Sequence, residues 1–203
     1  MPPVAAPHSL PPTPKTVCIY CGSSAHISAA YAEHAATLAR ALVHAGFRLV
    51  YGGGQVGLMG VVANAALDAG GYVIGIIPEY IRVHELQHLG LSELHVVESM
   101  HTRKRMMMDR SDAFVILPGG FGTLDEMFEV LTWKQLGLHR KTVVIDNEDG
   151  FWTPLLGLID HLARENFAPR ATSLFRVATS LLEILEALRA PQDPAFDPAV
   201  KWS

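Results

Sequence analysis

The sequence of 203 residues has only two cysteines, no excess of basic charge and no apolar run close to the roughly 18 residues that a membrane-spanning helix needs. Its net charge of −4 provides no field that would attract polymeric nucleic acid. The first fifteen residues are rich in proline and lack the apolar segment of a secretory signal. These absences predict a cytoplasmic protein with a flexible start at 1–15, and with neither a membrane nor a polymeric nucleic acid as partner.

The two cysteines, Cys18 and Cys21, form one CxxC motif inside the strand-like stretch VCIYCGSS. Side chains three positions apart in a strand point to opposite faces of the sheet. A redox-active pair belongs at the start of a helix, and a structural zinc ion needs two further ligands. We therefore predict that both cysteines are reduced and structural.

What the sequence does contain is a regular alternation of apolar runs and helix-like stretches from residue 17 onward, with 49% apolar residues to fill one core. The predicted helices span about 28–44, 58–69, 100–111, 123–136, 153–165 and 180–189, and the strand-like runs are VCIYCG, RLVYGG, YVIGIIP, LHVVES, AFVILPGG and TVVIDN. This repetition predicts an α/β, Rossmann-like, doubly wound fold, with a mostly parallel sheet flanked by helices in a single domain over 16–190. The remaining residues, 191–203, are predicted to be a flexible tail.

In doubly wound folds, ligands bind beyond the carboxyl ends of the strands, so the turns that follow the strands are the candidate sites. The turn PGGFGTLDE follows the buried run at 113–117 and leads into a helix. Glycines there allow close approach to the backbone, and the N–H groups of the helix start favour an anion. Thr123 adds a hydroxyl. Asp125 and Glu126 are expected in the first helical turn, where they either only complement the helix dipole or carry out chemistry.

A second glycine turn, Gly52 to Gly57, matches GxGxxG after a strand, and Glu79 lies about 20 residues further on, where a ribose-binding acid is sought. This pattern favours a phosphate or ribose near the loop. The alternative is that the glycines serve only tight packing between helix and strand.

The turn SMHTRKR places three basic residues, Arg103, Lys104 and Arg105, near the start of a helix. The helix dipole disfavours positive charge at that end. A solvated charged face is the alternative, but such residues prefer the other end of a helix. The pattern favours an anion-binding or catalytic role for Arg103 or Lys104.

The segment HELQH, from His84 to His88, is a literal HExxH, the pattern of zinc proteases. In one class of these proteases the pattern continues with a glycine that would fall at position 91 and a histidine that would fall at position 94. This sequence has Gly90 and His95 instead, so each is displaced by one position. The segment also lies between two predicted strands, which leaves little room for the long helix that such a site requires. We predict no metal site.

Pro118 to Glu126 matches the full pattern PGGxGTxxE, and Arg103 and Lys104 match its companion arginine–lysine pair. With YGGGQVGLMG, these motifs resemble the Lonely Guy family of cytokinin riboside 5′-monophosphate phosphoribohydrolases over about residues 17–167. The resemblance implies a Rossmann-like homodimer that hydrolyses the N-glycosidic bond of an adenosine 5′-monophosphate carrying an N6 substituent. The products are the free base and ribose 5-phosphate, and no metal or organic cofactor is implied.

The resemblance implies that Arg103 and Glu126 are the catalytic pair. A carboxylate near the anomeric carbon suits an oxocarbenium-like transition state. The predicted substrate-binding residues are Gly53, Gly54, Glu79, Met100, His101, Lys104, Gly119, Gly120, Gly122, Thr123, Asp125 and Thr132. The family's older lysine decarboxylase label finds no support, because nothing in the sequence marks a lysine for a pyridoxal phosphate Schiff base.

Two alternatives stay open from the sequence. One is a nucleotide or cofactor carrier of the same fold, similar to molybdenum cofactor carrier proteins, in which the anion loop binds but nothing reacts. The other is an NAD(P)-dependent oxidoreductase built on GGGQVG. The acids and the arginine argue against the first, and the lack of a second substrate domain argues against the second.

Overall fold

The computed structural model describes residues 15–82, 86–168 and 174–192. The termini that the sequence predicts to be flexible are 1–15 and 191–203, and all of their residues except 15, 191 and 192 lie outside these ranges. Among the described residues, none of the helices is both long enough and apolar enough to cross a bilayer.

The described residues form seven strands and six helices, which alternate along most of the chain. The strands are β1 (Thr16–Tyr20), β2 (Arg48–Tyr51), β3 (Val73–Pro78), β4 (Glu93–Val97), β5 (Ala113–Ile116), β6 (Thr142–Asp146) and β7 (Arg176–Ala178). The helices are α1 (Ala29–His44), α2 (Gly57–Asp68), α3 (Met100–Asp109), α4 (Phe121–Gln135), α5 (Thr153–Arg164) and α6 (Leu181–Arg189).

The strands form one sheet in the order β4-β3-β2-β1-β5-β6-β7, and every neighbouring pair is parallel. The prediction of a Rossmann-like doubly wound sheet is confirmed. The chain builds one half of the sheet outward from β1 and then returns to pair β5 with the other side of β1. This reversal opens a crevice between the carboxyl ends of β1 and β5, where doubly wound folds bind ligands.

Helices cover both faces of the sheet, which explains why the strands are nearly continuous apolar runs. One apolar core contains residues of α1, α2 and α6, and the other contains residues of α3, α4 and α5. Cys18 and Cys21 are both buried, in opposite cores, as strand geometry predicts for side chains three apart.

Two details differ from the sequence-based expectation. Helix α4 begins at Phe121, so Asp125 and Glu126 lie in its second turn, and the prediction that they occupy the first turn was wrong. The reason is that Gly120 is already extended and caps the helix two residues earlier than expected. The short strand β7 was not predicted, because three residues carry no readable periodicity.

Candidate active site

A cavity of about 610 Å³ opens at the carboxyl edge of the sheet, in the crevice between β1 and β5. The turn after β1 and the turn after β5 form its floor, and they are tied together where the Gly22 N–H donates to the Pro118 carbonyl oxygen over 3.0 Å. A side chain at Gly22 would lie 3.3 Å from the Cα atom of Gly119, so a larger residue would separate the two turns. The sheet reversal therefore places the PGGFGT turn in the wall of this cavity.

The three glycines of this turn have different surroundings. A Cβ atom at Gly119 would lie 2.0 Å from Oγ1 of Thr123, so the packing of that threonine requires glycine there. A Cβ atom at Gly120 or Gly122 would meet no protein atom within 4 Å, although both residues line the cavity. Because the first N–H groups of α4 have no partner within the helix, this open space at its start suits an anion.

Arg103 of α3 and Glu126 of α4 meet at the wall of the cavity. The Nη2 atom of Arg103 lies 3.8 Å from Oε1 of Glu126, and both side chains are more than nine-tenths buried. The guanidinium also donates to the Gly52 carbonyl oxygen over 3.3 Å, and its Nη1 atom lies 3.7 Å from the Met100 sulfur. Its buried Nε atom has no hydrogen-bond partner among the described residues. The pair is thus held in a poorly hydrated place, where charge–charge interactions are stronger than in water.

The glycine that follows β2 makes room for this arginine. A Cβ atom at Gly52 would lie 2.0 Å from Nη2 of Arg103 and 2.9 Å from the sulfur of Met59. Gly52 also lines the cavity, and it has to be glycine because Arg103 occupies the space that a side chain would need.

Two further glycines of GGGQVG, Gly53 and Gly57, also lie against protein atoms. A Cβ atom at Gly53 would stand 3.1 Å from that of Ile77, and one at Gly57 would stand 2.5 Å from the Ser24 carbonyl oxygen. Both glycines have positive φ, which other residues rarely adopt. Gly53 and Gly54 do not line the cavity. These contacts support the alternative that the sequence left open, in which the glycines of this motif serve tight packing between helix and strand.

Lys104 faces acids rather than the cavity. Its Nζ atom lies 3.0 Å from Oδ2 of Asp125 and 3.2 Å from Oε1 of Glu129. Burial acts to lower its pKa, but the hydrogen bonds to the two carboxylates outweigh burial and raise the pKa of Lys104 above its usual value. The amine is therefore protonated, whereas a Schiff base requires the neutral form.

The structure brings together one part of the predicted set of site residues. The predicted residues that line the cavity are Met100, Arg103, Gly119, Gly120, Gly122, Thr123 and Glu126. The predicted residues outside its lining are Gly53, Gly54, Glu79, His101, Lys104, Asp125 and Thr132. Glu79 is exposed and pairs with Arg82 over 3.0 Å. His101 and Thr132 are exposed on α3 and α4 respectively.

The HELQH segment does not have the form of a zinc-protease helix where it is described. Residues 86–88 are not helical, while His84 and Glu85 lie outside the described residues. The Nε2 atom of His88 lies 2.9 Å from the side-chain oxygen of Asn64, and its Nδ1 atom accepts from the Gly90 N–H. Burial lowers the pKa of His88. This histidine fastens the connection between β3 and β4.

Several residues that line the cavity were not predicted from the sequence. Ser23 and Ser24 lie in the turn after β1, which the rule that ligands bind after the strands marks as a candidate turn, although neither serine was among the predicted site residues. Tyr31 and Phe151 also line the cavity, and their rings lie 5.7 Å apart in an edge-to-face arrangement. No sequence signal marks this pair, since the two residues come from distant elements.

Comparison with known proteins shows what the chain is similar to. Residues 59–188 match the family model described as possible lysine decarboxylase. The chain is 48% identical to a cytokinin riboside 5′-monophosphate phosphoribohydrolase of Rhodococcoides fascians over 182 residues, which cover 89% of this chain and 92% of that protein. It is 43% identical to a protein of the same name from Arabidopsis thaliana, over 86% of this chain and 81% of the other.

The fold also has solved counterparts. A molybdenum cofactor carrier protein from Chlamydomonas reinhardtii superimposes with a TM-score of 0.68, covering 87% of this chain and 96% of its own, at 20% identity. At that identity the likeness concerns the fold alone, so the sequence relatives decide between the possible families.

Proposed function

This chain belongs to the Lonely Guy family of cytokinin riboside 5′-monophosphate phosphoribohydrolases, and on that basis we propose that it hydrolyses the N-glycosidic bond of adenosine 5′-monophosphate or of its N6-substituted derivatives. The products are the free base and ribose 5-phosphate. The observation that carries the proposal is the buried Arg103–Glu126 pair, which faces the same cavity as the open glycine turn.

The 5′-phosphate binds at the start of α4, beside Gly120, Gly122 and Thr123. Support comes from the open space at the two glycines and from the position of the turn at a helix N-terminus. With the phosphate there, the ribose extends over the next turn of α4, toward Glu126. The base then extends toward Arg103 and Met100, which line the cavity beyond Glu126.

Cleavage breaks the bond between the anomeric carbon and the purine nitrogen, and the electron pair leaves with the purine while water adds to the carbon. Glu126 stabilises the positive charge that develops on the sugar or orients the attacking water. Arg103 orients that carboxylate or assists the departing purine. Neither role requires a metal ion, because the carboxylate and guanidinium supply the two charges.

The alternative of a non-catalytic carrier is less well supported, because a carrier has no need for a buried carboxylate beside its anion site. The alternative of an NAD(P)-dependent oxidoreductase loses its main support, because contacts with protein atoms account for three of the four glycines of GGGQVG, namely Gly52, Gly53 and Gly57.

We further propose a cytoplasmic homodimer. Phe128 on α4 and Leu136, the residue that caps the end of this helix, are both partly exposed and lie eight residues apart, with Thr132 midway between them. A second copy packed against these residues would cover both apolar side chains. Thr132 would then lie at the interface, where it would contact the nucleotide bound in the cavity of the second copy rather than the one in its own chain.

The function is tested by separating the products after incubation with AMP, isopentenyladenosine monophosphate, GMP and CMP. Release of free adenine or of the substituted base, together with ribose 5-phosphate, is expected. Binding of AMP without any turnover would instead favour a carrier. Size-exclusion chromatography with light scattering tests the dimer, and Phe128→Ser is expected to shift it toward the monomer.

A further inference from the structure

An ion pair beside the cavity joins helix α1 to the end of strand β6. The Nε2 atom of His34 lies 2.5 Å from Oδ2 of Asp146, whose side chain is fully buried. The other ring nitrogen of His34, Nδ1, lies 3.3 Å from Oε2 of Glu148. The backbone N–H of Glu148 donates to Asp146, so the start of the loop after β6 is bound to the same carboxylate.

The surroundings of His34 favour its positively charged form. Its Nε2 atom is hydrogen-bonded to the Asp146 carboxylate, and the Glu148 carboxylate lies close to its other ring nitrogen, so negatively charged acceptors stand beside both nitrogens. The hydrogen bond to Asp146 is the main cause that raises the pKa of His34, although burial opposes it. The same three residues are close enough to hold a metal ion, but a protonated ring has no lone pair to offer one.

The two segments that this pair joins also carry an aromatic wall of the cavity. Tyr31 lies one helical turn before His34 on α1, and Phe151 lies five residues after Asp146. Their rings are in edge-to-face contact, and Phe151 packs in the same way against Trp152 at 4.8 Å. The position of the loop between β6 and α5 therefore sets how closely Phe151 approaches Tyr31.

We propose that His34 is a positioning residue, which holds the Tyr31–Phe151 wall against the bound nucleotide through its ion pair with Asp146. This inference rests on the proposed function, because it takes a nucleotide as the ligand of the cavity. Arg103 and Glu126 lie on α3 and α4, which pack on the face of the sheet opposite α1. The His34–Asp146 pair therefore acts on substrate binding rather than on the chemical step.

The pH dependence follows from the charges around His34, which are Asp146, Glu148 and Asp149, all acidic. The raised pKa means that the charged pair is present at low pH and is lost as the pH rises through the folded-state pKa of His34. When the proton leaves, the ring loses its charge and with it the attraction to the Asp146 and Glu148 carboxylates. The wall then loosens, and the Michaelis constant for the nucleotide rises.

The kinetic test compares His34→Gln with His44→Gln, a control that changes an exposed histidine at the end of the same helix. Between about pH 5.5 and 9, where a perturbed histidine titrates, the parent protein and the control are expected to show a Michaelis constant that rises with pH. At about pH 6, His34→Gln is expected to raise that constant at least threefold, to leave kcat within about twofold and to flatten the pH profile. A variant with the parental constant and profile would overturn the proposal.

A second measurement needs no nucleotide turnover. In a Trp133→Phe/Trp202→Phe background, Trp152 is the only tryptophan left to report on the loop, and its fluorescence is expected to follow the NMR titration of His34. This coupling should disappear in His34→Gln. If the protein fails to hydrolyse nucleotides but Trp152 still follows His34, the proposed function fails and the positioning role of the pair survives. Fluorescence that is independent of the titration, or stoichiometric zinc binding that requires His34, would overturn the positioning role.

Discussion

Arg103 occupies the space that a side chain at Gly52 would need, because its Nη2 atom lies 2.0 Å from the position of a Cβ atom there. The arginine also donates a hydrogen bond to the carbonyl oxygen of the same glycine. A glycine after β2 thus determines the position of a cation that belongs to α3.

Gly52→Ala is therefore expected to displace Arg103 and to lose about as much kcat/KM as Arg103→Ala, at least ~100-fold in each case. The measurement is steady-state hydrolysis of AMP. Gly157→Ala is the matched control, since a Cβ atom there meets no protein atom within 4 Å. Near-parental activity in Gly52→Ala would mean that the guanidinium can be moved without consequence.

Glu126→Gln keeps the shape of the side chain and removes its charge, so we expect at least ~100-fold loss of turnover with nucleotide binding largely retained. Asp125→Asn is the control, because the adjacent Asp125 is exposed and pairs with Lys104. The double variant Arg103→Ala/Glu126→Gln should be little worse than the weaker single variant, since residues that act as one unit are not additive. A folded Glu126→Gln protein within a few-fold of parental turnover would rule out the mechanism.

Two glycines of one turn should respond in opposite ways to alanine. Gly122→Ala places a methyl group in the open space and is expected to raise the Michaelis constant for AMP at least about fivefold, while helix propensity makes the fold slightly more stable. Gly119→Ala collides with Thr123 and is expected to cost about 1–3 kcal/mol of unfolding free energy. Chemical denaturation and initial rates separate the two effects.

A crystal soaked with AMP should show the phosphate at Gly120, Gly122 and Thr123, and phosphate found only at 52–57 would contradict this placement.

Removal of metal ions is expected to leave activity unchanged. EDTA should have no effect, and His84→Ala should retain most of the activity. His88→Ala is expected to affect stability instead, because His88 is hydrogen-bonded to Asn64. Stoichiometric zinc in the purified protein, with activity lost on its removal, would restore the zinc-protease interpretation of HELQH.

The sequence predicted the sheet and the helices that carry Arg103 and Glu126, because strand alternation and the carboxyl-edge rule depend only on local patterns. It placed Arg103 and Glu126 on different helices beside one crevice, as the structure has them. It could not separate Gly52, which makes room for protein, from Gly122, which leaves open space, since that depends on atoms distant in sequence.

The contact between Tyr31 and Phe151 could not be predicted from the sequence either, because the two residues are distant in the chain. The start of α4 was predicted two residues too late, because the sequence around Thr123 is compatible with a helix that begins at either position. The extended conformation of Gly120 determines the actual boundary. Local patterns therefore define elements well, whereas a cavity is defined by contacts between elements.

The pairing of β1 with β5 has a consequence for the order of folding. Where the two segments meet, the backbone N–H of Thr16 donates to the carboxylate of Asp112, 96 residues away. Contacts of such long range form slowly, because a large loop must close before they become favourable. The crevice cannot exist until β5 has joined the sheet. In refolding experiments, catalytic activity is therefore expected to return later than the helical circular dichroism signal, and a nascent chain that ends before residue 113 should be inactive however much of α1 to α3 has already formed.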